Sequence, residues 1–309
     1  MSESDGALRP LVGVQTGAAM CVLASGSAGN CTAIVLKRDG VERVVLIDLG
    51  LSPRRTFALL AERGLRPDQI DGCILTHLDT DHFRAAWMIA LPRHAKFRLH
   101  AAHAGELRRL GMWDGAGLGS RVAPFDERDG GFDLDPGVTV RPRMMSHDDE
   151  GVSTLRIDMP GVNGGVLGFA TDLGRVTADL VAHMRADYGH GAGVDALAME
   201  SNYCPRMQIA SSRPEFLKRR IMGGRGHLSN QEAAEAVQAI GPREHVVLLH
   251  LSRECNHPSI AMEHHAGADY AVTVAEQERP SRWVRLRPSG RVRAVVMSDR
   301  LRNTATLWS

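Results

Sequence analysis

Four side chains able to bind a metal, His77, Asp79, Asp81 and His82, are crowded into the heptad Thr76-His77-Leu78-Asp79-Thr80-Asp81-His82. The heptad follows the apolar run Cys73-Ile74-Leu75, which reads as the end of a strand. Successive side chains of a strand point to opposite faces, whereas the turn after it lets neighbours swing toward one volume. Two imidazoles and two carboxylates gathered this way form a nitrogen and oxygen donor set for a divalent cation. A solvated acidic loop would have the same composition, so the rest of the chain must decide.

Other apolar runs end in the same kinds of residue. Val44-Val45-Leu46-Ile47 leads to Asp48, residues 138–145 run into Ser146-His147, residues 166–170 end at Thr171-Asp172, and residues 246–249 end at His250-Leu251-Ser252. Together with the heptad, five separate strands deliver a carboxylate or an imidazole. His94, His100 and His103 read as surface or packing residues.

The elements that must hold these groups follow from periodicity and turn chemistry. Residues 20–24 and 31–36 are strands joined by Ser25-Gly26-Ser27-Ala28-Gly29-Asn30, a glycine-rich tip able to present N–H groups and hydroxyls to an anion. Ser52-Pro53 opens a helix with Phe57, Leu60 and Ala61 on its core face and Gly64 at its end. A short helix beyond His82 is expected to bury Ala85, Ala86, Met88 and Ile89, and residues 111–137 read as a loop region able to overhang a site. Asn163-Gly164 marks a hairpin between residues 152–159 and 166–170. Residues 195–199 form a strand ending at Glu200-Ser201-Asn202-Tyr203. The capping box Ser229-Asn230-Gln231-Glu232 starts a helix that buries Ala233, Ala234, Val237 and Ile240, placing His227 just outside its positive end. Residues from 271 onward, including 283–287 and 292–297, read as added strands with an arginine-rich outer face.

Composition narrows the class. A 309-residue chain with 43% hydrophobic residues can pack a large core. A net charge of +1 gives no global field for a nucleic acid or a membrane, so such a partner would be met through a local patch. The densest patch is Arg206, Arg213, Lys218, Arg219, Arg220 and Arg225, either a solvated helix face or a phosphate-contacting rim. Five scattered cysteines argue against a disulfide framework and for a reducing compartment. The N-terminus carries Glu3 and Asp5 in place of a basic leader, and no run approaches the roughly 18 apolar residues of a membrane span. The expectation is a cytoplasmic protein with no membrane partner.

All five strand-end groups, in this order, resemble the metallo-β-lactamase superfamily. Within it, Leu23-Ala24-Ser25-Gly26-Ser27-Ala28-Gly29-Asn30, Ala170-Thr171-Asp172, Glu200-Ser201-Asn202-Tyr203, Gly226-His227-Leu228-Ser229-Asn230 and His250-Leu251-Ser252 are similar to the YycJ/WalJ group. Those phosphodiesterase-like proteins are associated with 5′-to-3′ exonuclease action on DNA. The Gly-His-Leu-Ser and His-Leu-Ser blocks also resemble the tRNA 3′-processing endonuclease. The resemblance implies an α/β (α+β) fold, an αββα sandwich of two mixed sheets flanked by helices. It implies a single domain over residues 20–290 with a pseudo-twofold joint near residue 150, an N-terminal extension over 1–19 and a basic C-terminal strand or tail over 291–309. His250 follows Asp172 by 78 positions, too few for the extra domain that larger nuclease relatives insert there.

Carried over by position, the resemblance implies two divalent ions, zinc or manganese, with iron a third option. His77, Asp79 and His147 would hold the first, Asp81, His82 and His250 the second, and Asp172 would bridge them. Asp48 would orient the heptad from behind. Asp81 and His227 count as catalytic, His227 as the general acid. Ser27, Asn30, Ser229 and Asn230 would meet phosphate oxygens, while Arg206, Arg219 and Arg225 would track the strand backbone. The chain departs from the pattern at Asp79, where histidine is usual, and a harder carboxylate there tilts the site from zinc toward manganese or iron, or toward one strong metal position. It departs again at Phe83-Arg84-Ala85-Ala86, where glycine is common, and at Cys204, where an acidic residue is. The implied activity is metal-assisted phosphodiester hydrolysis, with DNA as substrate. Two other readings remain open: hydrolysis of a small phosphodiester, thioester or lactone, and a metal-poor paralogue that binds without catalysis.

Overall fold

The computed structural model describes residues 9–112, 118–147 and 151–290. They build two seven-stranded sheets. In the first, β1 (Gly17–Ala24), β2 (Cys31–Arg38) and β3 (Val41–Ile47) form an antiparallel meander, and β4 (Ile70–Leu75), β5 (Lys96–His100) and β6 (Val122–Phe125) extend it in parallel. The second repeats the plan. β7 (Phe132–Asp135), β8 (Val138–Met145), β9 (Val152–Asp158) and β10 (Val166–Ala170) are antiparallel, and β11 (Ala196–Glu200), β12 (His245–Leu249) and β13 (Ala271–Val274) are parallel. The last described strand, β14 (Val284–Leu286), returns to pair with β1.

The alternation of strand side chains explains why the central strands are apolar without interruption. In β1, Ala18, Met20 and Val22 face the layer between the sheets, where they join Ile34, Ile47, Leu155, Phe169 and Val247. Ala19, Cys21 and Leu23 belong to the core on the outer side of the first sheet, with Leu60, Trp87 and Leu107. A third core lies outside the second sheet, under Leu180, Val237 and Ile240. The layers are therefore helix, sheet, sheet, helix. Helices on the first side are α1 (Pro53–Glu62), the single turn α2 (Trp87–Ala90) and α3 (Ala101–Arg109). The second half adds α4 (Ala178–Arg185), α5 (Pro205–Ala210), α6 (Glu215–Arg220), α7 (Asn230–Ile240) and α8 (Pro258–Glu263).

Several sequence expectations are corrected. Residues 111–137 are not one loop, because β6 and β7 lie within them as edge strands of the two sheets. Each is only four residues long, and Pro124, Asp133 and Asp135 obscure the pattern, as befits an edge. The chain crosses between the sheets at residues 126–131, ahead of the expected joint near 150. In α1 the buried face is Thr56, Leu59 and Leu60, and Ala61 is exposed. In the helical turn beyond His82 only Trp87 is buried, while Ala85 and Ala86 before it are exposed and Ile89 is 83% exposed. One helical turn has no room for an apolar stripe. Residues 292–297 lie outside the described residues.

Gly50 fixes how the loop after β3 meets the heptad. A Cβ there would come within 1.7 Å of the Asp81 carbonyl oxygen and 2.7 Å of the Asn30 amide nitrogen, both backbone atoms. Gly50→Ala is expected to lower stability by at least about 2 kcal/mol, as overpacking does. A denaturant melt with an unchanged midpoint would contradict this packing.

Candidate metal centre

The candidate ligands stand at the carboxyl ends of strands. Asp48 follows β3, the heptad follows β4, Asp172 follows β10, Glu200 ends β11 and His250 follows β12. Asp48, Asp172 and His250 adopt left-handed backbone conformations, with φ of 62°, 54° and 56°. That conformation costs a non-glycine L-residue about 1–2 kcal/mol. It turns each side chain from the sheet plane toward a common edge.

Asp48, 1% exposed, ties the heptad together. Its Oδ1 accepts from the Thr76 backbone N–H at 2.8 Å and from the Thr76 hydroxyl at 3.0 Å, and its Oδ2 accepts from His82 Nδ1 at 2.8 Å. His82 therefore presents Nε2 to the edge. Because the Thr76 hydroxyl donates to Asp48, its oxygen accepts from His77 Nδ1 at 3.0 Å, and His77 too presents Nε2. The glycine-rich tip supports the same wall. Asn30 N donates to the Asp81 carbonyl at 2.7 Å, and the Ser25 hydroxyl accepts from the His250 amide at 2.8 Å.

The structure gathers His77 with Asp79 and His147, and Asp81 with His82 and His250, the donor atoms of each trio within 4.8 Å of one another. Asp172 lies between the trios. Its Oδ2 is 3.0 Å from His82 Nε2, and its Oδ1 is 3.4 Å from His250 Nδ1. His77, Asp172 and His82 also form a group of their own. The site is enclosed apart from Asp79, whose side chain is 53% exposed, and Asp81, at 23%.

Charge governs this cluster. Burial opposes a proton on His82, but the Asp172 and Asp48 carboxylates outweigh it and push the imidazole well above its ordinary range. Burial likewise opposes a charge on His250, yet Asp172, Asp81 and Glu200 raise it to about 10. Burial favours the neutral acid at Asp172, and His250 and His82 together hold it well below the ordinary carboxylate range. His77 goes the other way, lowered well below 6.5 by burial and by the neighbouring His82. In the metal-free chain, protons on imidazoles offset the carboxylates.

Glu200 is the residue that sequence reasoning left without a role. It is fully buried, and its Oε1 is 2.6 Å from His227 Nδ1 while its Oε2 accepts from the Leu173 N–H at 2.7 Å. Burial raises its carboxyl, but His227 and His250 outweigh that and hold it low. The signal was present: an apolar strand ending in an acid, as at Asp48. His227 lies at the edge of the cluster, 22% exposed, with its ring 5.1 Å from that of His250 and Nδ1 3.6 Å from Asp172 Oδ1.

The expected phosphate contacts fare differently. Ser27 is exposed and lines a cavity beside Asp81. Asn30 is buried, and its amide is committed to Gly26, Ser25, Asp81 and His82. Asn230 is fully buried and bonded to Ser201 and Asn256. The Ser229 hydroxyl, in a residue 4% exposed, is taken up by the Glu232 side chain and backbone N–H. These three are corrections: Asn30, Ser229 and Asn230 spend their polar groups inside the protein. The start of α7 is occupied by its own capping carboxylate. Arg206, Arg219 and Arg225 are exposed.

The donor set fits divalent metal ions. His77 Nε2 is buried and makes no hydrogen bond among the described residues, with Asp79 Oδ2 3.7 Å away. An imidazole nitrogen left in that state costs about 1–3 kcal/mol, and a cation shared with Asp79 and His147 would satisfy it. A profile of the metallo-beta-lactamase superfamily matches residues 25–177. The chain belongs to this superfamily. Members of the fold bind divalent metals, and the chain is a metal-dependent hydrolase. It is 29% identical over 246 residues to the exodeoxyribonuclease WalJ of Streptococcus pneumoniae, covering 78% of this chain and 84% of that one. It is 28% identical over 242 residues to the exodeoxyribonuclease YycJ of Bacillus anthracis, with the same coverage of 78% and 84%. Among solved structures, the metallo-β-lactamase fold protein YhfI of Bacillus subtilis superposes with a TM-score of 0.60 at 15% identity, covering 87% of this chain and 99% of that one.

A ligand that binds only the folded chain stabilises it by mass action. Removing divalent metal with a chelator is expected to lower the melting temperature by several degrees, a drop that a ΔΔG of about 1–2 kcal/mol produces. Added manganese or zinc should restore it. The same treatment should lower the melting temperature of His82→Ala by less, because only the His77, Asp79 and His147 set is left intact, and equal chelator sensitivity in both proteins would argue against this donor set.

Proposed function

We propose that this protein is a nuclease that hydrolyses phosphodiester bonds in DNA, cutting from the 5′ toward the 3′ end in the cytoplasm. The observation that carries the reading is Asp172, whose carboxylate lies 3.0 Å from His82 and 3.4 Å from His250 of one group and forms a metal-capable set with His77 of the other. In this reading His77, Asp79 and His147 hold one ion, Asp81, His82 and His250 hold the other, and Asp172 joins them. Bound divalent ions supply the positive charge that activates a water for in-line attack and offsets charge on the phosphoryl oxygens. The third carboxylate, Asp79, makes manganese or iron the better match, with zinc still competent.

The chain's own residues do the rest. Asp48 fixes the orientation of His82 and, through Thr76, of His77. His227 protonates the departing sugar oxygen: Glu200 holds Nδ1, so the proton leaves from Nε2. Arg206, Arg219 and Arg225 meet backbone phosphates, which makes affinity fall as salt rises. The names of the WalJ and YycJ relatives support a DNA substrate. The placement in the cytoplasm is supported by five unpaired thiols. Among the described residues no helix is long and apolar enough to cross a membrane.

Degradation of linear DNA with added manganese tests the reading. Wild type should shorten the strand, and His82→Ala should not. His227→Ala is expected to lower kcat by about 10²–10⁴ with little change in KM, the usual range for loss of a general acid. Intact DNA beside turnover of a small phosphodiester would move the substrate away from nucleic acid, and full activity in His227→Ala would remove it as the acid.

A further inference from the structure

Between Tyr203 and His227 the chain makes an excursion from the rim of the site and comes back to it. The root is stapled, because Asn202 N donates to the Leu228 carbonyl at 3.0 Å and Asn230 N to the Tyr203 carbonyl at 2.9 Å. Asn202 also donates from Nδ2 to the His250 carbonyl, and the returning limb ends in His227. The excursion contains α5, α6 and a wide turn, Ile221–Arg225. On its inner side Met207 and Leu217 pack against buried Tyr203, Ile221 and Cys255. The wide turn rests on the loop that follows Asp172: a Cβ on Gly174 would come 2.6 Å from the Gly224 carbonyl oxygen and 2.9 Å from Arg225 Cα.

Its outer side has an unusual composition. Phe216 is 70% exposed and Ile209 is 63% exposed. Helical spacing places each of them one turn from an exposed arginine: Ile209 three residues after Arg206 in α5, and Phe216 three before Arg219 in α6. Lys218 Nζ donates to the Ile209 carbonyl at 2.8 Å and clamps the two helices together. Among the described residues, Arg206, Arg219 and Arg225 form no ion pair. A solvated helix face would have carried the arginines without the phenylalanine.

We propose that this outer face is a platform for an unpaired strand of nucleic acid, with one base stacked on Phe216 and neighbouring phosphates on Arg206, Arg219 and Arg225. The proposal rests on the nuclease reading above and adds that the substrate enters as a single strand or a frayed end. In a duplex the base faces are covered by their neighbours, so a duplex would meet the arginines and leave Phe216 in water. An unpaired strand offers a free aromatic face beside each phosphate, the pairing that Phe216 and Arg219 match. A second copy of the chain is a poorer occupant. A twofold interface centred here would set the same cluster of arginines against itself.

The test uses the metal-loaded full-length protein and phosphorothioate-linked oligonucleotides, which resist hydrolysis, so that binding is read without cutting. Phe216→Ala is expected to weaken binding to the single strand by about 5- to 100-fold. Binding to a blunt duplex of the same sequence and turnover of bis(p-nitrophenyl) phosphate should stay within about twofold, and Phe216→Tyr should restore single-strand affinity. Equal single-strand binding by wild type and Phe216→Ala overturns the platform, as does equal loss on both strands. So does concentration-dependent self-association of wild type that the substitution abolishes. Wild type that turns over the small diester but neither binds nor cuts DNA overturns the nuclease reading itself, and the platform with it.

Discussion

Four carboxylates, Asp79, Asp81, Asp172 and Glu200, share one edge of the sandwich with His77, His82, His147, His227 and His250. Asp172 and Glu200 are almost completely shielded from water, as is Asp48 behind them. An unpaired buried carboxylate costs several kcal/mol, so the edge is stable only when positive charge lies among these oxygens. Imidazole protons can provide part of it, which is why His82 and His250 are driven upward. Divalent cations provide more, and they would also satisfy the nitrogen of His77, which no proton donor among the described residues reaches. Need for cations and capacity for metal-assisted hydrolysis thus have one origin.

The fold makes such a concentration of charge sustainable by fixing it to rigid elements. Each half of the molecule is a meander continued by parallel strands, and parallel strands point their carboxyl ends the same way. Two sheets built to the same plan bring their ends to one rim. The left-handed turns at Asp48, Asp172 and His250 are tolerated because the strands before them are buried on both faces. Backbone bonds between loops complete the rim. Leu49 N donates to the His82 carbonyl at 2.7 Å, and Ser153 N to the Thr76 carbonyl at 2.9 Å, the latter crossing from one sheet to the other.

What the sequence revealed, and what it hid, follows from how strongly each residue is constrained. The strand-end groups were legible because an uninterrupted apolar run stopping at an aspartate or histidine has few other uses in a doubly covered sheet. The edge strands β6 and β7 were hidden because short strands half in water carry no such pattern. Ser229 and Asn230 show a second kind of ambiguity. A serine that opens a helix reads equally as a cap or as an anion contact, and the capping box read from the sequence did not decide between them; in the fold the Ser229 hydroxyl is committed to Glu232. Glu200 ended an apolar strand just as Asp48 did, but its role depends on His227, 27 residues away along the chain and brought to it only by folding.

The central claim, that cations reconcile this cluster, is tested most directly by anomalous diffraction from crystals grown with manganese and, separately, with zinc. The account predicts anomalous peaks flanking Asp172, one within bonding distance of His77 Nε2 and the other of His82 Nε2. A map with no peak at this rim, with Asp79 and Asp81 turned out into solvent, would contradict it.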